Sequence, residues 1–164
     1  MDIQLEIVDN FNMAAFVNIF NLYHHDRAVY FPELYPHVDE EGFFDRDVAV
    51  DLAAMDSSQV ACYLIRHEGK FAGFLVASFP PYVKPDTDFC IQDIFILNSH
   101  RRLGIAKEAC RLLFDDFSGR FCLMVSKNDG SALAFWDALI EESCELISKE
   151  ADEEDMIVYK FSTS

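Results

Sequence analysis

Basic residues are scarce in this chain: 13 Lys and Arg stand against 29 Asp and Glu, a formal net charge of −16. A surface of that sign repels phosphate backbones, which argues against nucleic acid as a partner. It attracts cations instead, and an amine is the simplest organic one. Long apolar runs are missing too. No stretch approaches the roughly 20 residues that span a bilayer, so no membrane association is expected. The first residues, Met1-Asp2-Ile3-Gln4-Leu5-Glu6, are acidic where a secretory leader is basic. Cysteines are few and odd in number (Cys62, Cys90, Cys110, Cys122, Cys144), with no Cys-x-x-Cys pair. That pattern predicts reduced thiols packed as small hydrophobes in a cytoplasmic protein. Neither Gly-x-x-x-x-Gly-Lys-Ser/Thr nor Gly-x-Gly-x-x-Gly occurs, which counts against the common nucleotide-binding folds. Internal repeats and low-complexity linkers are absent as well.

What the chain does have is apolar mass. Half of it is hydrophobic (51%), with 16 phenylalanines among 164 residues, enough for one sizeable core and one domain over residues 1–164. Ile3, Leu5 and Ile7 alternate with polar neighbours as in a strand. Met13, Phe16, Val17, Phe20 and Leu22-Tyr23 recur at helical spacing between Phe11 and about Tyr30, until Pro32 and Pro36 open a loop through Gly42. Phe43, Val48, Leu52 and Met55 predict a second helix. Two strands, 60–66 and 71–79, flank the turn His67-Glu68-Gly69-Lys70. A strand over 89–97 follows, then a helix to Phe117, a strand over 120–125 and a helix over 131–142. A last strand pair, 144–147 and 156–159, is linked by an acidic turn at 150–155. This order predicts a mixed α/β (α+β) fold with a largely antiparallel sheet.

The stretch from Gln92 to Ala109 is the most informative. An apolar strand ends, His100-Arg101-Arg102-Leu103-Gly104 follows, and a helical pattern begins at once. Cations at a helix N-terminus oppose the macrodipole, so their presence there makes sense if an anion binds among them. The free amides of a first helical turn already form an anion site. A glycine keeps side-chain bulk out of it.

The spacing Arg101-x-x-Gly104-x-Ala106 after a strand resembles the acyl-CoA signature of the GNAT (Gcn5-related N-acetyltransferase) superfamily, Gln/Arg-x-x-Gly-x-Gly/Ala. The resemblance extends over nearly the whole chain in element order. It implies a GNAT-like central sheet of about seven strands flanked by about four helices. It also implies acetyl-CoA as acyl donor and transfer of an acetyl group to a small cationic amine or an exposed peptide amine. By resemblance, Ile94, Phe95 and Ile96 bind pantetheine through main-chain groups. Arg101, Arg102, Leu103, Gly104, Ile105, Ala106 and Lys107 take the pyrophosphate, with Arg102 equally suited to the adenosine 3′-phosphate.

For the base, many relatives carry a glutamate where Gln92 stands, and an amide accepts no proton at neutral pH. Asp93 is adjacent, but strand alternation turns it to the opposite face unless the strand is bulged. A water relayed by Gln92 or by the Asp39-Glu40-Glu41 loop is the competing account. For the acid, Asp129-Gly130-Ser131-Ala132-Leu133-Ala134-Phe135-Trp136-Asp137-Ala138-Leu139 resembles the family's Asn-x-x-Ala-x-x-Phe-Tyr-x-x-Leu. Asp129 fills the asparagine slot, although Asn128 fits with a slip of one residue. Trp136 fills the tyrosine slot, where an indole N–H donates a hydrogen bond but is no useful acid. Protonation then falls to Ser131 or water, with Phe135 packed beside the cofactor.

Substrate recognition is expected in the lid formed by the first two helices and their connection. Tyr23, Asp26, Tyr30, Glu33, Tyr35 and Glu41 concentrate aromatics and carboxylates there, a combination suited to an organic cation. His24 and His25 are adjacent and do not share a helical face, so no metal is expected. The alternative function is a non-catalytic acyl-CoA-binding regulatory module, which Gln92 and Trp136 keep open. The sheet edge and the Phe-rich surface leave room for a homodimer.

Overall fold

Apolar alternation makes Ile3–Ile7 the first strand, β1, in a computed structural model that describes residues 1–163. Two helices follow, α1 (Met13–Arg27) and α2 (Arg46–Ala54), then the strands β2 (Val60–His67), β3 (Lys70–Ser78) and β4 (Phe89–Ile96). A single 3-10 turn at Asn98–His100 leads to α3 (Ile105–Asp116). The chain closes with β5 (Arg120–Ser126), α4 (Gly130–Ser143), β6 (Glu145–Ala151) and β7 (Met156–Ser162). The strands form one seven-stranded sheet in the order β1-β2-β3-β4-β5-β7-β6. Every pairing is antiparallel except β4 with β5.

Both faces of the sheet are covered. On one, α1 and α2 lay Phe16, Phe20 and Ala49 over Leu64, Phe74 and Val76. On the other, α3 and α4 lay Leu113, Trp136 and Leu139 over Ile65, Leu75 and Phe121. Strands buried on both faces lose their polar alternation, which is why β3 reads as an almost unbroken apolar run. The β2–β3 turn has Glu68 (φ 50°) and Gly69 (φ 79°) in left-handed conformation, the geometry a two-residue hairpin requires.

Three local features shape the site. Gln92 is unopposed in the β3–β4 ladder, because Val76 pairs with Asp93 and Ala77 with Ile91: β4 is bulged there. Gly73 lets β3 approach β4 closely, since a Cβ at that position would stand 1.9 Å from the Phe95 carbonyl oxygen. And β4 pairs with β5 only through Phe89↔Phe121 and Cys90↔Cys122, after which the two strands part.

The boundaries differ from the sequence reading in places. α1 stops at Arg27, and α2 begins at Arg46 rather than Phe43. The Asp39 carboxylate accepts from the amides of Glu41 and Phe43, holding that segment in a turn. Asp45 then caps α2 by accepting from Val48 N. β6 extends to Ala151, into the expected acidic turn, paired along its length with β7. Its residues are nearly all exposed, so no apolar periodicity announces it. No helix among the described residues is long and apolar enough to cross a membrane.

Candidate active site

The parting of β4 from β5 opens a cleft of ≈ 920 Å³, within the range of small-molecule sites. Ile91–Ile96 form one wall and Leu123–Val125 the other, with the start of α3, the first half of α4 and the end of α1 around the rim. Beyond Cys90, the β4 main-chain groups that point away from β3 have no β5 partner in the ladder, so they face the cleft as free donors and acceptors.

At the α3 end the backbone forms an anion nest. Arg102 (φ 65°) and Gly104 (φ 79°, ψ 13°) are both left-handed, one residue apart. The first main-chain bond of α3 runs from Glu108 N to Gly104 O (3.1 Å), which leaves the amides of Ile105, Ala106 and Lys107 without an intrahelical acceptor. A Cβ built on Gly104 would meet only the Met1 Cε, at 3.8 Å. The space in front of the amides is therefore open, and a diphosphate fits the donor set.

The cations nearby divide into two kinds. Arg101 is committed to the protein: its Nε donates to Ile96 O (2.8 Å), its Nη2 pairs with Asp26, and its guanidinium lies over the Phe95 ring. Lys107 and Arg111 both pair with Glu142. Arg102 has no ion-pair partner among the described residues and is exposed at the rim. Leu103 points outward, about half exposed, and lies outside the cleft lining, while Ile105 contributes its amide and buries its side chain in the core.

Asp93 faces the cleft. The bulge at Gln92 supplies the half-step that strand alternation alone would have denied it. Its carboxylate accepts from Tyr23 OH at 2.6 Å. Burial raises its pKa, opposed by the Tyr23 hydrogen bond and by the nearby Arg27 charge. Tyr23 in turn is held well above the usual phenol range by burial and by the Asp93 charge, so it donates and does not ionise. Gln92 borders the same cleft, but its Nε2 donates to Ser78 Oγ (2.8 Å), tying it to β3.

Across the cleft, Asp129 is the N-cap of α4, accepting from Ala132 N (3.1 Å). This fixes the register: Asp129 lines the cleft and Asn128 does not, its amide bonding Ser126 Oγ instead. Ser131 is exposed on the first turn of α4. Phe135 and the buried Trp136 border the cleft with their rings edge to face, centroids 4.9 Å apart.

The lid residues divide as well. Tyr23, Asp26 and Tyr30 border the cleft. Glu33 and Glu41 are exposed outside it, and Tyr35 stacks on the buried His24 ring at 4.7 Å. The adjacent histidines part as expected for a helix, His24 inward and His25 toward the cleft. Sequence reasoning missed Arg27, whose Nη1 bonds Asp129 Oδ2 (3.3 Å) and whose guanidinium sits over Phe31, Tyr30 and Tyr23. Its signal was a basic residue among the aromatics and acids of the lid, next to Asp26. The β5 wall, Leu123 to Val125, was also missed, because it becomes a wall only where β4 leaves it.

The sequence matches the Acetyltransferase (GNAT) family over residues 16–139. No protein of curated function matches it. Among solved structures, an acetyltransferase from Thermus thermophilus superposes with a TM-score of 0.68 at 15% identity, covering 98% of this chain and 96% of that one. An acetyltransferase from Corynebacterium glutamicum gives 0.73 at 10% identity, covering 99% and 96%. The PaiA N-acetyltransferase from Thermoplasma acidophilum, solved in complex with coenzyme A, gives 0.63 at 9% identity, covering 98% of each chain. At these identities the likeness is one of fold.

Proposed function

This chain belongs to the GNAT family of acetyltransferases, and from that premise we propose that it is an acetyl-CoA-dependent N-acetyltransferase in which Asp93 is the general base. One observation carries the reading: a partly buried carboxylate in the middle of β4 and an open main-chain nest beyond that strand's C-terminal end face the same cleft. Acetyl-CoA supplies an acyl group activated as a thioester. The nest at Arg102–Lys107 holds its diphosphate, and the unpaired edge of β4 holds the pantetheine arm.

Asp93 removes a proton from the acceptor ammonium. Desolvation of the carboxylate brings its proton affinity closer to that of the amine than an exposed aspartate's would be. The freed nitrogen lone pair bonds to the thioester carbonyl carbon, and the C–S bond breaks with its electron pair on sulfur. Trp136 N–H donates to that sulfur, and the second proton of the attacking nitrogen, relayed through Ser131 or water, converts the thiolate to thiol as the amide forms. The acceptor is an amine whose cation the acidic lid (Glu33, Asp39, Glu40, Glu41) concentrates near the cleft. Tyr23, Asp26 and Tyr30 are its contacts. The free cysteines, four of them buried, support a cytoplasmic setting.

Thiol release from acetyl-CoA in the presence of an amine panel, with product mass confirmed, tests the proposal. Turnover that Asp93→Asn abolishes is expected. A second reading, a regulatory acyl-CoA-binding module, draws on Gln92 and Trp136 in slots that relatives give to glutamate and tyrosine. CoA binding without turnover of any amine decides for it.

A further inference from the structure

Arg27 is underused by its own protein. A guanidinium carries five N–H donors in a planar fork. Among the described residues Arg27 makes one hydrogen bond, the 3.3 Å contact from Nη1 to Asp129 Oδ2. Its side chain is only 19% exposed, yet none of the remaining donors is a buried orphan, so they stay open to solvent or to a ligand. Three aromatic rings pack around it, with the guanidinium carbon 4.7 Å from the Phe31 centroid, 5.4 Å from Tyr30 and 5.9 Å from Tyr23. The rings restrict its movement, and the residue borders the cleft that also contains Asp93.

The two groups share a neighbour. Tyr23 donates its hydroxyl to Asp93 and offers its ring face to Arg27. An anion and a cation thus both contact one phenol, inside a single cleft. This arrangement is complementary to a small molecule that carries both charges. Asp93 faces an ammonium, and the fork of Arg27 matches a carboxylate, which it takes in bidentate fashion better than any other side chain. Asp129 holds that place by a single long contact and is committed elsewhere, as the cap of α4. An incoming carboxylate therefore competes with Asp129 Oδ2 for the fork, while Oδ1 keeps the cap.

We propose that Arg27 determines acceptor specificity, and that the acceptor is a zwitterion: a primary amine bearing a carboxylate a few bonds away, such as a free amino acid. The proposal rests on the transferase reading above and narrows its acceptor. A polyamine or an internal lysine of a protein has no anion for Arg27. An amino acid presents its amine to Asp93 and its carboxylate to the guanidinium at once.

The experiment uses the standard amino acids and, for each, the C-terminal amide, which keeps the amine and removes the anion. Acetylation is followed with acetyl-CoA, and binding to the CoA-loaded protein is followed by calorimetry without turnover. The wild type is expected to prefer acid over amide by roughly 10–100-fold in kcat/KM, the worth of a charge-assisted bidentate pair. Arg27→Gln collapses that ratio toward unity, chiefly through KM, and Arg27→Lys restores part of it. Asp129→Asn keeps a capping side chain while removing the competing charge, and so raises the ratio. Equal use of acid and amide by the wild type overturns the inference, as does a fall in the ratio in Asp129→Asn. A change in CoA affinity alone in Arg27→Gln reassigns the residue to the cofactor and also overturns it. Binding of the acids that Arg27→Gln weakens, with no acetylation of anything, sustains the inference and removes the transferase reading. Acetylation of amides and polyamines in preference to acids does the reverse.

Discussion

Replacing Gly104 by valine separates the two things this glycine does. In the free protein its backbone lies at φ 79°, ψ 13°, where an L-residue costs about 1–2 kcal/mol and a β-branched one sits at the upper end. No protein atom other than the Met1 Cε comes near the new Cβ, so the penalty counted at that atom is backbone strain. For a chain of this size it amounts to a fall in Tm of about 2–8 °C. In the complex the isopropyl group occupies the open space before the amides of Ile105, Ala106 and Lys107. Displacing an anion from two such donors removes about 3–6 kcal/mol, a fall in CoA affinity of roughly 10²–10⁴. Calorimetric titration with CoA and with pantetheine, which lacks the nucleotide and its phosphates, reads the two penalties apart. Valine is expected to abolish the difference between these ligands while pantetheine binds as before, and alanine to fall between. CoA bound by Gly104→Val within about threefold of wild type, alongside the calculated loss of Tm, would refute the nest as the diphosphate site.

Asp93 carries a raised pKa, so activity should climb with pH through that value, and Asp93→Asn should remove both the rate and the climb. Tyr23→Phe deletes the hydrogen bond that lowers the Asp93 pKa, so the acidic limb of kcat/KM should move to higher pH; a limb that stays in place assigns the titration to another group. Because the folded-state pKa of Asp93 exceeds its unfolded one, ionisation destabilises the fold as pH rises through the folded value. Asp93→Asn should therefore raise Tm at neutral pH, with a gain that vanishes below the ordinary aspartate range, as paired melts across pH can check. Arg102→Gln should flatten the salt dependence of CoA binding, since its charge is unpaired. Arg101→Gln should instead leave the slope nearly intact and loosen α1 from β4, seen as faster hydrogen exchange near Asp26. Gly73→Ala pushes a methyl group into the Phe95 carbonyl and should lower Tm by about 10 °C or more, or prevent folding.

The fold was legible where sequence and backbone speak the same language. Glu68-Gly69 announces a hairpin because a two-residue turn needs left-handed residues, and the apolar run of β3 announces a strand covered on both faces. The nest was legible for the same reason, since its chemistry is local: an open helix N-terminus and a glycine beside it. The half proposed as catalytic was not local. Whether Asp93 faces the cleft depends on a bulge that exists only in register with Val76 and Ala77. Arg27 joins the site through Asp129, 102 positions away. Glu33, Tyr35 and Glu41 share the composition of the lid residues that border the cleft, but composition carries no direction, and the turn fixed by Asp39 leaves Glu41 outside it. The exposed strand β6 buries too little to leave a periodic trace.

The pairing of β4 with β5 has a mechanical consequence. Two rungs join a four-stranded half of the sheet to a three-stranded half, and beyond Cys90 no further ladder pair joins them among the described residues. An extended arm lying along the open margin of β4 would serve as the missing seam, so a ligand there is in effect an eighth strand. Loading should stiffen the molecule as a whole: the β4 amides beyond Cys90 that point away from β3 are expected to exchange more slowly once a ligand lies there, together with those of β5, in one cooperative step.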